Sequence, residues 1–116
     1  MKTNLIQAKS YSFALRIITL TRWLRGRKEY ELSNQVLRSG TGIGSNVEEA
    51  LAAVSRPDFV AKMGIASKEA RESYYWLRLL RDAKVIPSPR IEPLVTECLE
   101  LVRILTAIIK TSQTVR

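Results

Sequence analysis

Apolar residues recur in this chain at alternating steps of three and four, in four separate stretches. Phe13, Ile17, Leu20 and Leu24 show the spacing in the first stretch. This period matches one face of an α-helix rather than the alternation of a strand. Short connections between consecutive helices make each run antiparallel to the one before. The pattern therefore predicts an all-α, antiparallel up-down-up-down four-helix bundle forming a single domain over residues 1–116.

Punctuating residues place the helices at about 5–25, 32–54, 56–84 and 90–111. Gly26 suits the end of the first helix. Ser55 is a good N-cap for the third helix, with Pro57 in the first turn and Asp58 at the capping-box position. The prolines of the segment 87–89 separate the third helix from the fourth.

The same periodicity predicts the core of the other three helices. The second helix contributes Leu32, Val36, Ser39, Ile43, Val47, Ala50 and Val54. The third contributes Phe59, Met63, Ala66, Ala70, Ser73, Leu77 and Leu80. The fourth contributes Leu94, Cys98, Leu101, Leu105 and Ile108, flanked by Val102 and Ile109.

The glycine-rich segment 38–46, RSGTGIGSN, interrupts this regularity. Each glycine inside a helix costs about 1 kcal/mol relative to alanine, so a loop is the competing interpretation. We favour a continuous helix because the apolar register stays in phase on both sides. The spacing fits neither a dinucleotide fingerprint nor a P-loop. The small residues are expected instead to let a neighbouring helix approach closely: Ser39, Gly40, Gly42, Gly44 and Ser45.

The composition argues against an enzyme. The chain has no histidine, which removes the usual general base and the Glu-x-x-His pairs of di-iron bundles. Cys98 is the only cysteine and lies on the core stripe, so we expect a buried thiol rather than a nucleophile. We therefore predict no catalytic residue, metal, cofactor or small-molecule substrate.

The single cysteine and the N-terminal sequence also bear on location. No internal disulfide can form, which suits a reducing compartment. Gln7, Lys9 and Ser10 interrupt any signal-peptide core, and no uncharged stretch approaches the ~18 residues that span a membrane. We expect a cytoplasmic protein with no membrane partner.

The formal charge of +8 is concentrated at the N-terminal end of the chain. Residues 1–28 hold no acid, whereas twelve basic and eleven acidic residues follow. Such a surface attracts phosphate backbones without reading sequence, although a merely solvated face is the simpler alternative. The predicted site for RNA, DNA or a nucleic-acid enzyme comprises Lys2, Lys9, Arg16, Arg22, Arg25, Arg27 and Lys28.

Polar residues flank the apolar stripes of the second and third helices. Antiparallel pairing about the turn near residue 55 sets Glu49 beside Lys62 and Asn46 beside Ala66 or Glu69. It also sets Arg38 beside Glu69, Glu72 or Ser73. We expect an interhelical network that fixes register, with a ligand or subunit contact as the alternative. Its predicted members are Arg38, Asn46, Glu49, Glu69 and Glu72.

Three successive aromatics, Tyr74, Tyr75 and Trp76, point in different directions around the third helix. They cannot all face the core of one bundle. Aromatic and arginine side chains are enriched at interface cores. We therefore predict an oligomer interface built on these three residues and Arg78, with packing at a helix seam as the alternative.

Two segments carry a family resemblance: residues 32–50, LSNQVLRSGTGIGSNVEEA, and residues 67–80, SKEARESYYWLRLL, with Asp58 and Phe59 between them. They resemble the ribosomal-RNA intervening-sequence protein family of small four-helix bundles. Gly42 and Ser45 stand where that family often has other small residues. The resemblance implies an up-down bundle that forms a homo-oligomer, in several members a homopentamer. A related branch, the accessory proteins of diversity-generating retroelements, binds a reverse transcriptase and nucleic acid.

Taken together, the sequence predicts a non-enzymatic, basic, homo-oligomeric scaffold for nucleic acid or for a reverse transcriptase-type enzyme. The alternative is a structural or protein-interaction bundle whose charge serves solubility and which has no nucleic-acid role.

Overall fold

Four long helices make up the computed structural model, which describes residues 2–114 except for the side chain of Lys2. They are α1 (Lys2–Gly26), α2 (Tyr30–Leu51), α3 (Arg56–Asp82) and α4 (Ser88–Thr114). No strand occurs within these residues. The all-α fold predicted from the periodicity is confirmed.

The contacts between helices show that neighbours run in opposite directions. Ser33, early in α2, donates a hydrogen bond to the carbonyl of Thr21, late in α1, while Glu48, late in α2, accepts one from Gln7, early in α1. The same reversal relates α2 to α3 and α3 to α4. Each helix packs against its two neighbours around a square, and α1–α4 is the thinnest seam. The result is a rod of 49 × 20 × 18 Å.

Most predicted core positions are buried. Every predicted apolar position of α1 and α4 is buried or partly buried, as are Leu32 and Phe59. Ile6 extends the α1 stripe by two turns and Ile91 extends that of α4. Val54 is the exception, with 94% of its surface exposed, so its assignment to the core was wrong.

Val54 is exposed because α2 ends earlier than the periodicity suggested. The helix stops at Leu51, where the amide of Ala52 donates to the carbonyls of Glu49 and Ala50. The chain then turns to reach Ser55, whose hydroxyl accepts a hydrogen bond from the amide of Asp58 at 3.2 Å. The predicted N-cap of α3 is therefore confirmed.

The other boundaries differ by a few residues. α1 begins at Lys2 and α3 ends at Asp82, against predicted limits of 5 and 84. α4 runs from Ser88 to Thr114 and so extends beyond the predicted 90–111 at both ends. Its start is early because the carbonyl of Pro87 accepts hydrogen bonds from the amides of residues 90 and 91, which begins the helix before Pro89.

The glycine-rich segment is helical throughout, so the loop alternative was wrong. A Cβ on Gly40 would lie 2.8 Å from Cγ2 of Ile17, and one on Gly44 would lie 3.4 Å from the carbonyl oxygen of Ser10. These glycines bring α1 close to α2, as predicted for the small residues. Gly42 faces the other way, against the side chain of Glu69 in α3. Ser45 is exposed and takes no part in the close approach.

We expect Gly40→Ala to destabilise the bundle and Gly64→Ala to stabilise it. Both changes should gain about 0.5–1 kcal/mol of helix propensity. A Cβ at Gly64 meets nothing within 4 Å, whereas at Gly40 it meets the branched side chain of Ile17. Overpacking costs about 1–3 kcal/mol. Urea unfolding should show opposite shifts in midpoint, and a stabilised Gly40→Ala variant would contradict the packing argument.

Candidate functional site

The structure divides the predicted basic surface of α1 into two parts. Lys9 lies 2.8 Å from Glu100 and Arg16 is paired with Glu97, both across the seam between α1 and α4. These two cations are therefore neutralised by carboxylates of the same chain. The side chain of Lys2 lies outside the described residues.

The second part surrounds the C-terminal end of α1. Arg25 lies 3.4 Å from the side-chain oxygen of Asn34, and its guanidinium is 5.5 Å from the ring centroid of Tyr30. Arg27 stacks over Trp23 at 4.5 Å. Arg22 and Lys28 are exposed, as are Arg25 and Arg27.

Two further cations that sequence reasoning missed join this cluster. In an up-down bundle the connections α1–α2 and α3–α4 lie at the same end. The second connection carries Lys84, and the first turn of α4 places the guanidinium of Arg90 at 5.4 Å from the ring of Trp23. Trp23 thus contacts one arginine from the connection that follows α1 and one from α4. The alternation of the helices was the signal that could have predicted this neighbourhood.

We call the surface formed by these cations the basic end: Arg22, Arg25, Arg27, Lys28, Lys84 and Arg90. Within the part of the chain that the structure describes, none of the six forms an ion pair with a carboxylate. Arg81 stands beside them but is bound by Asp82 and Glu92. The basic end can attract phosphate groups because none of its six cations is held in an ion pair within the described residues.

A groove of about 390 Å³ lies within the basic end, between α1 and the α3–α4 connection. Trp23 and Arg27 line one wall, and Lys84 with residues 85–88 lines the other. The groove combines an aromatic ring, apolar surface and cations. These are the components that proteins use to bind nucleic-acid strands without sequence preference.

The predicted polar network is only partly interhelical. Arg38 of α2 is paired with Glu72 and lies 3.5 Å from Glu69, both in α3. Lys62 and Glu49 pair at 3.1 Å nearer the other end of the same seam. Asn46 was predicted to reach α3, but its side-chain amide donates to a carbonyl of its own helix, that of Gly42, at 2.8 Å.

Glu72 receives two donors at this seam. The indole nitrogen of Trp76 donates to its carboxylate at 3.0 Å, and Arg38 donates to the same oxygen. These hydrogen bonds, with that from Trp76 the larger influence, hold the pKa of Glu72 below its ordinary value of 4.5. The seam therefore favours a charged Glu72.

The three successive aromatics point in three directions, as their spacing requires. Trp76 lies at the α2–α3 seam, and Tyr74 is partly buried beneath the guanidinium of Arg78, 4.5 Å from its ring centroid. Tyr75 is 50% exposed and meets the edge of Trp76 at 5.4 Å. Seam packing thus accounts for Trp76, while Tyr75 and Arg78 are exposed, and the oligomer interface stays a prediction.

Residues 2–114 show no grouping of three metal-ligating side chains, counting histidine, cysteine, aspartate and glutamate. Cys98 is buried, and its thiol donates to the carbonyl of Ala70 at 3.3 Å. Burial raises the pKa of Cys98 to about 12, so the reactive thiolate is disfavoured. None of the described helices combines the length and apolarity needed to cross a membrane.

Comparisons with known proteins agree with this architecture. The sequence profile described as 23S rRNA-intervening sequence protein matches residues 2–107. A crystal structure of a protein with unknown function from the S23 ribosomal protein family of Bacteroides thetaiotaomicron VPI-5482 is similar to this chain, with a TM-score of 0.90 and 44% sequence identity. The alignment covers 95% of this chain and 99% of that one. Among curated proteins, none matches.

Replacing Trp76 with phenylalanine is expected to raise the pKa of Glu72, because the indole donor is lost. A carboxyl whose pKa is lowered by folding stabilises the protein above its ordinary pKa, and this contribution is lost as pH falls through the folded value. The wild type should therefore lose stability below about pH 4.5, and the variant should lose part of that dependence. Carbon-detected NMR titration of the Glu72 carboxyl measures the shift.

Trp23→Phe is the matched control, because Trp23 has no contact with Glu72 among its described interactions. An unchanged pKa of Glu72 in the Trp76 variant would show that the indole hydrogen bond is not what stabilises the charged form.

Proposed function

The chain belongs to the 23S rRNA-intervening sequence protein family, and we propose that it is a non-enzymatic, homo-oligomeric scaffold that binds nucleic acid through its basic end. The ligand is the phosphodiester backbone of RNA or DNA, held without sequence readout. A nucleic-acid enzyme of the reverse transcriptase type is the partner that such an accessory protein would serve. The protein acts in the cytoplasm.

The observation that carries the proposal is the convergence of unpaired cations from both connections at one end of the rod. Arg27 lies in the α1–α2 connection and Arg90 lies in α4, and both stack on the indole of Trp23. Lys84, in the connection between α3 and α4, adds a further positive charge beside them. The groove, which Trp23, Arg27 and Lys84 help to line, supplies both the electrostatic and the stacking components of strand binding.

Oligomerisation supports the same function through multivalency. The end of a rod 20 × 18 Å across spans few phosphates, so one chain alone would bind weakly. Several basic ends in one particle would bind a strand together. The surface proposed for this assembly contains Tyr75, which is half exposed, and the adjacent Arg78. The resemblance favours a homopentamer.

One observation favours the alternative of a purely structural bundle for part of α1. Lys9 and Arg16 hold Glu100 and Glu97 across the thinnest seam. These cations stabilise the closure of α1 on α4 and are not available to a ligand without breaking those pairs. The proposed nucleic-acid site is accordingly limited to the basic end.

Neutralising Arg22, Arg27 and Lys28 to glutamine should weaken RNA binding strongly and reduce its dependence on salt. Each lost phosphate contact lowers the slope of log affinity against log salt by roughly 0.7–0.9. The measurement is fluorescence anisotropy of labelled RNA and DNA at about 50 and 200 mM salt, the range over which several phosphate contacts change affinity most.

Lys68, Arg103 and Lys110 provide the matched control, since replacing them with glutamine removes the same charge from exposed positions elsewhere on α3 and α4. The control should bind nearly as the wild type does. Failure of the wild type to bind at low salt would exclude the nucleic-acid function and leave the structural alternative.

Replacing Tyr75 with glutamate should dissociate the assembly into smaller particles while leaving the fold intact. The side chain is half exposed in the single chain, so a charge there costs little folding energy but opposes burial in an interface. Sedimentation velocity at micromolar concentration compares the particle size of the wild type and the variant, and circular dichroism checks that both are folded. A wild type that sediments as a monomer would contradict the interface.

A further inference from the structure

Both turns at the basic end are closed by a lysine in the left-handed conformation. Lys28 has φ 65° and Lys84 has φ 58°. Within the described chain they are the only non-glycine residues with positive φ, and no glycine adopts it. In the left-handed backbone conformation an L side chain is crowded by the backbone, so glycine normally occupies such positions.

The hydrogen bonds around Lys28 identify the turn as a Schellman motif. The amide of Glu29 donates to the carbonyl of Leu24 at 2.9 Å, and that of Lys28 donates to Arg25 at 2.9 Å. These are the six-to-one and five-to-two bonds of the motif, which place Lys28 at the position after the C-cap, where glycine predominates.

The end of α3 repeats this arrangement. The amide of Val85 donates to the carbonyl of Leu80 at 3.0 Å, and that of Lys84 donates to Arg81 at 3.1 Å. Val85 packs against the core, as expected of the residue that follows the left-handed position. Two separate turns therefore place the same unfavourable residue type at the same backbone position, at the same end of the rod.

Glycine would satisfy both backbone positions with less strain, so a lysine at each of them points to a use for its side chain beyond closing the turn. Strained positions of this kind cluster at functional sites. Both side chains are exposed, and both lack an ion pair within the described chain. Lys84 lines the groove beside Trp23, and Lys28 follows Arg27 of the opposite wall.

We propose that Lys28 and Lys84 are the principal phosphate contacts of the basic end, held one on each side of the groove so that a single nucleic-acid strand crosses between the two turns. This inference rests on the proposed function and specifies which residues perform it. It implies that the protein sacrifices stability at both turns in order to place two positive charges beyond the ends of α1 and α3.

The test replaces both lysines with glycine in the full-length protein. The Lys28→Gly/Lys84→Gly variant should melt on the order of 3–6 °C higher, because glycine relieves the strain at two helix ends. The same variant should bind single-stranded RNA at least tenfold more weakly at low salt, with the salt slope reduced by roughly 1.4, the contribution of two phosphate contacts. Duplex RNA of the same length shows whether single strands are preferred.

Two control variants separate charge placement from charge number. Lys28→Arg/Lys84→Arg keeps both charge and strain and should bind and melt as the wild type does. Lys68→Gln/Lys110→Gln removes two exposed charges elsewhere and should retain most of the binding. A larger loss in that control than in the glycine variant would overturn the inference.

The outcomes distinguish this inference from the function on which it rests. A wild type that binds no RNA at low salt defeats the proposed function itself. A wild type that binds, beside a glycine variant with equal affinity and salt slope, overturns the role of the two lysines and leaves the function standing. A lower melting temperature in the glycine variant would overturn the strain argument.

Discussion

The contact of Ile17 with Gly40 sets the distance between α1 and α2, and the other features of the bundle depend on that distance. A Cβ on Gly40 would be only 2.8 Å from the isoleucine. Because the helices lie so close, Ser33 can reach the carbonyl of Thr21, and Ser10 can lie against Gly44. The opposite face of α2 is then free to pair with α3, where the hydroxyls of Ser39 and Ser73 meet at 2.9 Å in the core.

The spacing of the apolar residues predicted the helices and most of the core, because residues three and four apart lie on the same face of a helix and that face is the one that is buried. It failed at Val54, since helix ends depend on where the chain must turn rather than on which residues are apolar. The spacing also could not predict the hydrogen-bond partner of Asn46. An asparagine at a helix surface can bond to a neighbouring helix or to a carbonyl one turn earlier, and only the local geometry decides between them.

The sequence predicted only part of the candidate site, namely its cations near the end of α1. A run of cations without acids pointed to α1, but a count of charges cannot show which cations find partners. Glu97 and Glu100 lie some eighty residues or more from Arg16 and Lys9 in sequence, yet they neutralise them across the seam. Conversely, Lys84 and Arg90 appear unremarkable in a balanced stretch of sequence and become part of the site only because the bundle returns to the same end.

The position of the basic end at one tip of a 49 Å rod places six cations without ion pairs at one end of the long axis of the described chain, and so makes its charge distribution uneven along that axis. The backbone does not contribute to this unevenness, because the macrodipoles of antiparallel helices cancel in pairs. A polyanion would therefore exert a torque as well as an attraction, turning the rod so that the tip arrives first. The rod would be oriented correctly before contact, and this orientation would raise the association rate at low ionic strength. The increase in rate would disappear once salt makes the Debye length much shorter than the rod.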